Sequence, residues 1–449
     1  MKHFGKTVGI YTLGCKVNQY ESEALAEAFS AQGFQMQSPS LPCDIYVINT
    51  CTVTAESDRK AKQFIRRAIH QNPKAYVLVT GCLSQTQPSA VASIEGVDFV
   101  CGNSEKLSVI QEAIRLTELG QKPAKATVSV ASPDEKGFEA MCIKHFDRTR
   151  AYVKIEDGCE NHCSYCIIPS ARGRVRSKPP QQVIAEVRSL CDAGCREVVL
   201  TGIETASYGR DLDGYSLADL LEEIDRIPGI GRVRLGSLDP SLMKQDFVDR
   251  ISRLSSLAHH FHISMQSGSD RILALMKRKY NRKMALEGME RLRSAMPDVQ
   301  FTTDMIVGFP GETEQDFQDS VSLAEEARFL MIHVFPYSGR NGTPAATMPD
   351  QIATSEKKRR VALLSDCAAR IRKEILAGMV GHTFDVLFET DEKGFSHGHT
   401  AHFIEVQCPS EVPLQGQLLP VCITGHNGEA CVGEITPSQD QKGETNYEI

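Results

Sequence analysis

No stretch of this 449-residue sequence approaches the roughly 18 consecutive apolar residues that cross a bilayer as a helix, so no membrane partner is expected. The opening Met1–Lys6 runs into a strand-like segment without the apolar core of a signal peptide, and a cytoplasmic location is expected. Internal repeats and strong low-complexity runs are missing, and no convincing Ser/His/Asp constellation offers ordinary nucleophilic catalysis. Hydrophobic residues at 41% and charged residues at 24% give the balance of folded domains rather than of a disordered chain. At roughly 150 residues per domain, the length predicts about three.

Cysteine, by contrast, is abundant. Fifteen cysteines in a reducing compartment point to metal or redox chemistry before structural disulfides. Charge is unevenly spread. The overall net charge is −7, yet from Val380 onward eleven acidic residues face only Lys393 and Lys442. That segment carries −9 and the rest +2. Phosphate attraction is local, so an RNA-binding face is sought before Val380.

The first 110 residues alternate strand and helix patterns: strands at Thr7–Leu13, Asp44–Asn49, Ala75–Thr80 and Val97–Val100, helices at Tyr20–Gln32 and Ser57–His70, the latter with a basic outer face. Such alternation predicts an open parallel α/β sheet, whose sites form at the carboxyl ends of strands. The Pro- and Gly-containing stretch Gly120–Lys144 reads as a linker. Six further strand–helix units follow, with strands near Ala151–Glu156, Glu197–Thr201, Arg232–Gly236, Phe261–Met265, Phe301–Val307 and Phe329–Phe335. They predict a partial (β/α)6 barrel. After a basic helix at Glu356–Lys373 come short strands with frequent Gly and His, a small all-β domain. The expected boundaries are 1–119, linker 120–144, 145–375, 376–440 and a tail 441–449.

The sharpest motif is Cys159-Glu-Asn-His-Cys163-Ser-Tyr-Cys166, just past the first barrel strand. A structural zinc site and an ordinary iron–sulfur cluster each want four protein ligands. Three cysteines leave one iron open to a substrate or cofactor. Zinc completed by His162 or a distant residue is the competing reading. Cys15, Cys51 and Cys82 form a second set, each directly after a predicted strand. Parallel neighbours lie about 4.8 Å apart, so loops at one sheet end can gather three thiols. Cys101 also ends a strand and competes for this set, and buried core cysteines are the plainer alternative. Cys191 and Cys195, at i, i+4 near a helix end, read as packing.

The Cys159–Cys166 motif resembles the signature of the radical S-adenosylmethionine (SAM) superfamily. Thr12-Leu-Gly-Cys-Lys-Val-Asn-Gln19, Asn49-Thr-Cys-Thr-Val-Thr54 and Thr80-Gly-Cys-Leu83 resemble the amino-terminal domain of methylthiotransferases. The resemblance continues through Cys166-Ile-Ile-Pro-Ser-Ala-Arg-Gly-Arg174, Gln266-Ser-Gly-Ser269, Asp304-Met-Ile-Val-Gly-Phe-Pro-Gly-Glu312 and Phe335-Pro-Tyr-Ser338, with the tail similar to a TRAM domain. The Lys-Val-Asn-Gln and Cys-Thr-Val-Thr forms are most similar to the branch acting on N6-threonylcarbamoyladenosine beside the tRNA anticodon. The resemblance implies that Cys159, Cys163 and Cys166 hold a radical-generating 4Fe-4S cluster. It gives an auxiliary, sulfur-carrying 4Fe-4S cluster to Cys15, Cys51 and Cys82, and decides against Cys101. It further implies SAM used both as methyl donor and as radical source, since the C2–H of adenine resists acid–base chemistry. An electron donor and a sulfur source are implied as partners. SAM contacts are expected from Tyr165, Glu204, Ser237, Gln266 and Arg278, at or near strand ends. Lone histidines such as His162, His260 and His262 read as structural.

The expected partner is a tRNA anticodon stem-loop. Arg172, Arg174, Arg176 and Lys178 alternate, so in an extended segment they share one face and are expected to contact RNA. Lys277, Arg278, Lys279, Arg282 and Lys283 form a second basic run, and Lys357, Lys358, Arg359 and Arg360 a third. Three features depart from the family pattern: Ser170 at an expected aromatic position, Gly339 and Asn341 in place of Pro and Glu, and the acidic tail. The tail leaves weak RNA contact there, or contact through His382, His397, His399, His402 and His426. Two other readings stand at this level: methylthiolation of a ribosomal-protein side chain, and a non-catalytic iron–sulfur electron carrier with a nucleic-acid-binding tail.

Overall fold

The hexapeptide Ile-Tyr-Val-Ile-Asn-Thr at Ile45–Thr50 is buried at every position, the pattern of a parallel strand covered on both faces. It sits inside a six-stranded parallel sheet ordered Gln35–Met36, Thr7–Thr12, Ile45–Thr50, Tyr76–Gly81, Phe99–Cys101, Thr127–Ser129. Strand order reverses between Thr7–Thr12 and Ile45–Thr50, and a crevice for ligands opens at such a switch point. The structure is a computed structural model that describes residues 4–146 and 149–436; the predicted tail 441–449 lies outside them.

The second unit is an arc of six parallel strands. Arg150–Lys154, Glu197–Thr201 and Arg232–Leu235 form one sheet, and Ser237–Leu238, His260–Gln266, Gln300–Val307 and Met331–Pro336 form another. Gly236 splits the third strand between the two sheets. Among the described residues no ladder closes the arc. Its first strand is covered by the helix Lys16–Ala31 of the first unit, and its last by the helix Thr354–Gly378.

The third unit is a closed five-stranded barrel, Thr383–Glu392, Phe395–Thr400, Glu405–Pro409, Cys431–Ile435 and Leu418–His426 in spatial order. Leu330 and Leu376 of the second unit enter its core beside Val386, Phe388 and Val406. It docks at the amino ends of the arc's strands. Arg232 donates to the backbone oxygens of His399 (3.3 Å) and Asp385 (3.1 Å), and Arg234 to that of Ala401 (3.1 Å). Phe403 stacks on His260 with ring centroids 4.9 Å apart. His402, read as a possible RNA contact, is buried here and bonds Asp298 at 2.9 Å.

The predicted linker 120–144 is instead a packed strap. Its residues Thr127–Ser129 add the sixth strand to the first sheet. Met141 and Ile143 are buried in a core shared by the first two units. The Tyr20 hydroxyl donates to the Met141 carbonyl at 2.6 Å, and the Ile143 N–H to Glu186 at 2.7 Å. Pro and Gly mark irregular backbone, but here that backbone lies inside an interface.

Candidate active site

Cys159, Cys163 and Cys166 lie on one loop at the carboxyl end of the first barrel strand. Gly158 precedes them at φ +93, and a Cβ there would lie 1.9 Å from the Arg174 carbonyl oxygen, so only glycine fits the turn. Ser164 fixes the far side of the loop. Its N–H donates to the Met276 carbonyl (3.1 Å), its hydroxyl to that of Leu275 (2.7 Å), and its own carbonyl accepts from Ala345 (2.8 Å). One residue thus ties the loop to two other strand-end segments.

The second set is assembled across three strands. Cys15 follows Thr7–Thr12, Cys51 follows Ile45–Thr50 and Cys82 follows Tyr76–Gly81. Cys51 packs on Gly14, where a Cβ would stand 2.8 Å from its sulfur. The motif residues around the cysteines stitch the loops together. Asn18 donates to the carbonyls of Leu13 (2.6 Å) and Thr50 (3.0 Å). The Thr50 hydroxyl donates to the Thr80 carbonyl (2.6 Å) and accepts from the Leu83 N–H (3.2 Å). Burial pushes the Cys51 thiol up to about 11, and the neighbouring Cys82 and Cys15 add to it. Cys101 is separate. It is fully buried in the main apolar core, with Thr80 and Ser108 beside its thiol.

The two sets meet at one domain contact, where the helix Ile168–Arg172 just past Cys166 packs on Cys82–Thr86. Burial pushes the Cys166 thiol up to about 11, and both Cys163 and Cys82 contribute. Three thiols with, among the described residues, no fourth thiol beside them fit, at each centre, a cluster with one open iron. Such ligands bind as thiolates, and a bound metal overrides the burial that otherwise keeps them protonated.

Between the sets lies a buried ionic network that overturns the expected RNA face. Arg172 is fully buried: it bonds Glu21 at 2.6 Å, Asp157 at 3.2 Å and Asn18 at 2.6 Å, and its Nε lies 3.4 Å from the Cys82 sulfur. Lys106 and Lys154 also pair with Glu21. Arg176 is buried against the carbonyls of Pro133 and Arg172 (2.5 and 2.8 Å), and Lys178 is paired with Glu186. Only Arg174 of the four is exposed. The alternating segment is not a surface strand. Its Arg176–Ser177 portion pairs with Glu156–Asp157 inside the contact between the first two units, where each buried cation needs an anion. The third basic run is also largely committed: Arg360 is buried on Glu312, Arg359 pairs with Glu314 and Glu356, and Lys357 donates to the Tyr337 carbonyl at 3.0 Å. In the second run Arg282 pairs with Glu326, while Lys277 and Lys279 are exposed.

The residues expected around SAM ring the barrel mouth. Glu204 accepts from the Asn161 side-chain amide, and its other carboxylate oxygen lies 3.2 Å from the Cys159 sulfur. Arg278, rather than a solvated helix charge, points at the Cys163 sulfur (3.1 Å) and pairs with Asp239 (2.9 Å). Gln266 ends its strand at φ +64. Ser237 is exposed where the third strand breaks. Tyr165 packs edge-on to Phe309, centroids 6.5 Å apart. Below them the arc's interior is polar, a feature the sequence reading missed. His262 lies 3.4 Å from Asp304 and 3.0 Å from the Thr302 hydroxyl, with His333 beside it. The ammonium of Lys16, next to Cys15, belongs to the same field: burial, Arg234 and Arg150 lower its pKa, while Glu197 and Asp304 oppose them. A period-2 alternation of His, Asp and Arg along the barrel strands was the available signal.

Residues 153–324 match the Radical SAM superfamily model, and residues 7–102 match the Uncharacterized protein family UPF0004. The solved structure of TsrM, a radical S-adenosylmethionine methyltransferase from Kitasatospora setae, shares the fold. Its TM-score is 0.56 at 16% identity over 76% of this chain and 77% of that one. Among curated proteins, the threonylcarbamoyladenosine tRNA methylthiotransferase MtaB of Bacillus subtilis is 38% identical over 93% of each chain. That of Thermotoga maritima is 38% identical over 89% of this chain and 91% of its own. The tRNA-2-methylthio-N(6)-dimethylallyladenosine synthase of Desulfitobacterium hafniense is 35% identical over 96% and 97%. Identity of this extent along almost the whole of both chains goes beyond a shared fold, and the chain belongs to the radical SAM tRNA methylthiotransferase family, enzymes that work with SAM and two 4Fe-4S clusters.

Proposed function

We propose that this enzyme methylthiolates C2 of N6-threonylcarbamoyladenosine beside the anticodon of tRNA, in the cytoplasm, drawing on an electron donor and a sulfur source. The observation that carries the reading is the contact of Arg172, six residues past Cys166, with the Cys82 sulfur at 3.4 Å, where the helix Ile168–Arg172 packs on Cys82–Thr86 and brings the two three-thiol sets to one domain contact. Cys159, Cys163 and Cys166 would hold the cluster that opens SAM, and Cys15, Cys51 and Cys82 the auxiliary one. When bound, these groups supply the radical and the sulfur, chemistry that protein side chains do not provide.

The chain's own residues position the reactants. Glu204 is the acceptor for the amino group of SAM. As a thiolate ligand Cys159 has no proton to donate, so the Glu204 oxygen beside it is left for that amino group. Arg278, held by Asp239, offers a guanidinium to the SAM carboxylate. Ser237 and Gln266 supply polar groups at neighbouring strand ends, and Tyr165 an aromatic edge beside the adenine.

Choice of nucleoside rests on the polar barrel interior. A threonylcarbamoyl group ends in a carboxylate and a hydroxyl, and the ammonium of Lys16 with the imidazoles of His262 and His333 matches them. An isopentenyl group would desolvate these polar groups and offer the Lys16 ammonium no anion. Nucleoside mass spectrometry of tRNA from cells with and without the protein tests the reading. The methylthio form of N6-threonylcarbamoyladenosine should vanish without it. Loss of a methylthiolated dimethylallyladenosine instead would refute the choice of nucleoside.

A further inference from the structure

The helix Ala55–Gln71 begins four residues after Cys51 and carries an unspent cationic face. From Arg59 to Gln71 it holds five Lys and Arg residues, Arg59, Lys60, Lys62, Arg66 and Arg67, and no acid. At about 100° per residue, Lys62, Arg66, Arg59, Arg67 and Lys60 fall within an arc of roughly 160°. Buried Ala61, Ile65 and Ala68 occupy the opposite side, against the sheet.

The acids of the first turn do not neutralise this face. Glu56 is gripped by Arg59 at 2.8 Å and lies one turn from Lys60. Asp58 is turned toward the site, accepting from Thr52 (2.6 Å) and pairing with Arg340 (3.0 Å). Among the described residues no hydrogen bond or ion pair engages Lys62, Arg66 or Arg67. The Arg172–Lys178 and Lys357–Arg360 runs are largely committed to internal partners, and of the second run Arg278 and Arg282 are paired while Lys277 and Lys279 stay exposed. At the head of the helix Val53 is 53% exposed beside Cys51.

We propose that this helix face is the track on which the anticodon stem lies, with Lys60, Lys62, Arg66 and Arg67 meeting phosphates while the target base enters the barrel mouth. The proposal rests on the tRNA reading above. Charge complementarity supports it: these are cations in a protein of net charge −7. Placement supports it too, because residues 52–54 lead straight from an auxiliary-site cysteine into the helix. Arg59 to Arg67 spans about 12 Å of axis, a length of duplex bearing on the order of seven phosphates.

The test uses anaerobically reconstituted full-length enzyme and a fluorescein-labelled tRNA carrying N6-threonylcarbamoyladenosine. Lys60→Ala/Lys62→Ala/Arg66→Ala/Arg67→Ala should weaken binding at least about tenfold at low salt. The slope of log K against log salt should become shallower by about 3 to 4, near 0.9 for each phosphate no longer neutralised. Iron content and RNA-free release of 5′-deoxyadenosine should match the parent. The charge-preserving Lys60→Arg/Lys62→Arg/Arg66→Lys/Arg67→Lys should bind as the parent does. Parent-like affinity and salt slope in the alanine variant overturn the surface alone, as does equal loss in the charge-preserving one. A parent that neither binds nor methylthiolates this tRNA overturns the function and the surface together.

Discussion

The two cysteine sets solve one problem in opposite ways. Cys159, Cys163 and Cys166 are held within eight residues on one loop, and the fold has only to anchor that loop, which Ser164 does. Cys15, Cys51 and Cys82 are spread over 68 residues and meet only because three parallel strands end side by side. The local set is a property of sequence spacing, the distributed one a property of sheet register. The second therefore depends on every side chain that fixes the register, including one from another domain, Arg172.

Cysteine removal should separate the sets most strongly. Cys163→Ala should abolish both 5′-deoxyadenosine release and methylthio product. Cys51→Ala should abolish product yet still release 5′-deoxyadenosine when reduced. Iron analysis should fall from about eight per chain to about four in each case, as one 4Fe-4S cluster is lost. Normal methylthiolated product from Cys51→Ala would remove the auxiliary assignment. Cys101→Ala should retain both clusters.

Arg172→Met should act next most strongly, and through both sets at once. Taking one partner from a buried ion network costs about 3–5 kcal/mol, here leaving Glu21 and Asp157 under-compensated. Denaturant unfolding should show the loss, and iron at the auxiliary set should fall more than at Cys159–Cys166. Arg172→Lys should recover part of the stability but not the contact with Cys82. An unchanged unfolding midpoint in Arg172→Met would mean that the network contributes nothing.

Lys16→Met should leave SAM cleavage intact and cut kcat/KM on threonylcarbamoyladenosine tRNA roughly tenfold or more, the scale of one charged hydrogen bond. An equal loss on a tRNA lacking the threonylcarbamoyl group would assign Lys16 a general role.

The smallest effect concerns the far end of the barrel. Burial alone would raise the Glu197 carboxyl, but Arg234, Arg150 and Arg232 hold it down at about 2. A depressed carboxylate stabilises above its unfolded pKa near 4.5, and that gain, of order 3 kcal/mol, drains away as pH falls toward 2. Glu197→Gln should therefore destabilise metal-free protein at pH 6, by less than half as much at pH 3, and converge on the parent only below about pH 2, measured by urea unfolding. A gap that stays constant with pH would mean the arginines do not act through charge.

Element order was legible because buried parallel strands read as continuous apolar runs, and Glu197–Thr201 was placed to the residue. The Cys159 loop was legible from spacing. The auxiliary set was legible only once the strands were placed, and spacing could not choose between Cys82 and Cys101; the position of Cys101 in the main apolar core supports Cys82. Arg172, Arg176 and Lys178 were misread because a one-dimensional pattern of cations says nothing about anions 150 residues away. Glu21, which meets Arg172, is such an anion. The strap was misread for a related reason: loop-like composition describes backbone shape, not burial.

The meeting of Glu21 with Lys106, Lys154 and Arg172 also sets a timetable. As the chain is synthesised, the auxiliary cysteines emerge first, but two of the cations that complete their surroundings come later, from residues 154 and 172. The amino-terminal unit therefore leaves the ribosome before Lys154 and Arg172, two of the three cations that pair with its Glu21, have been made. Chains arrested near residue 145 should take up iron at Cys15, Cys51 and Cys82 poorly, whereas chains arrested beyond the barrel should fill both sets together. That outcome would make cluster loading in this enzyme a late, whole-protein event rather than a property of the domain that carries the cysteines.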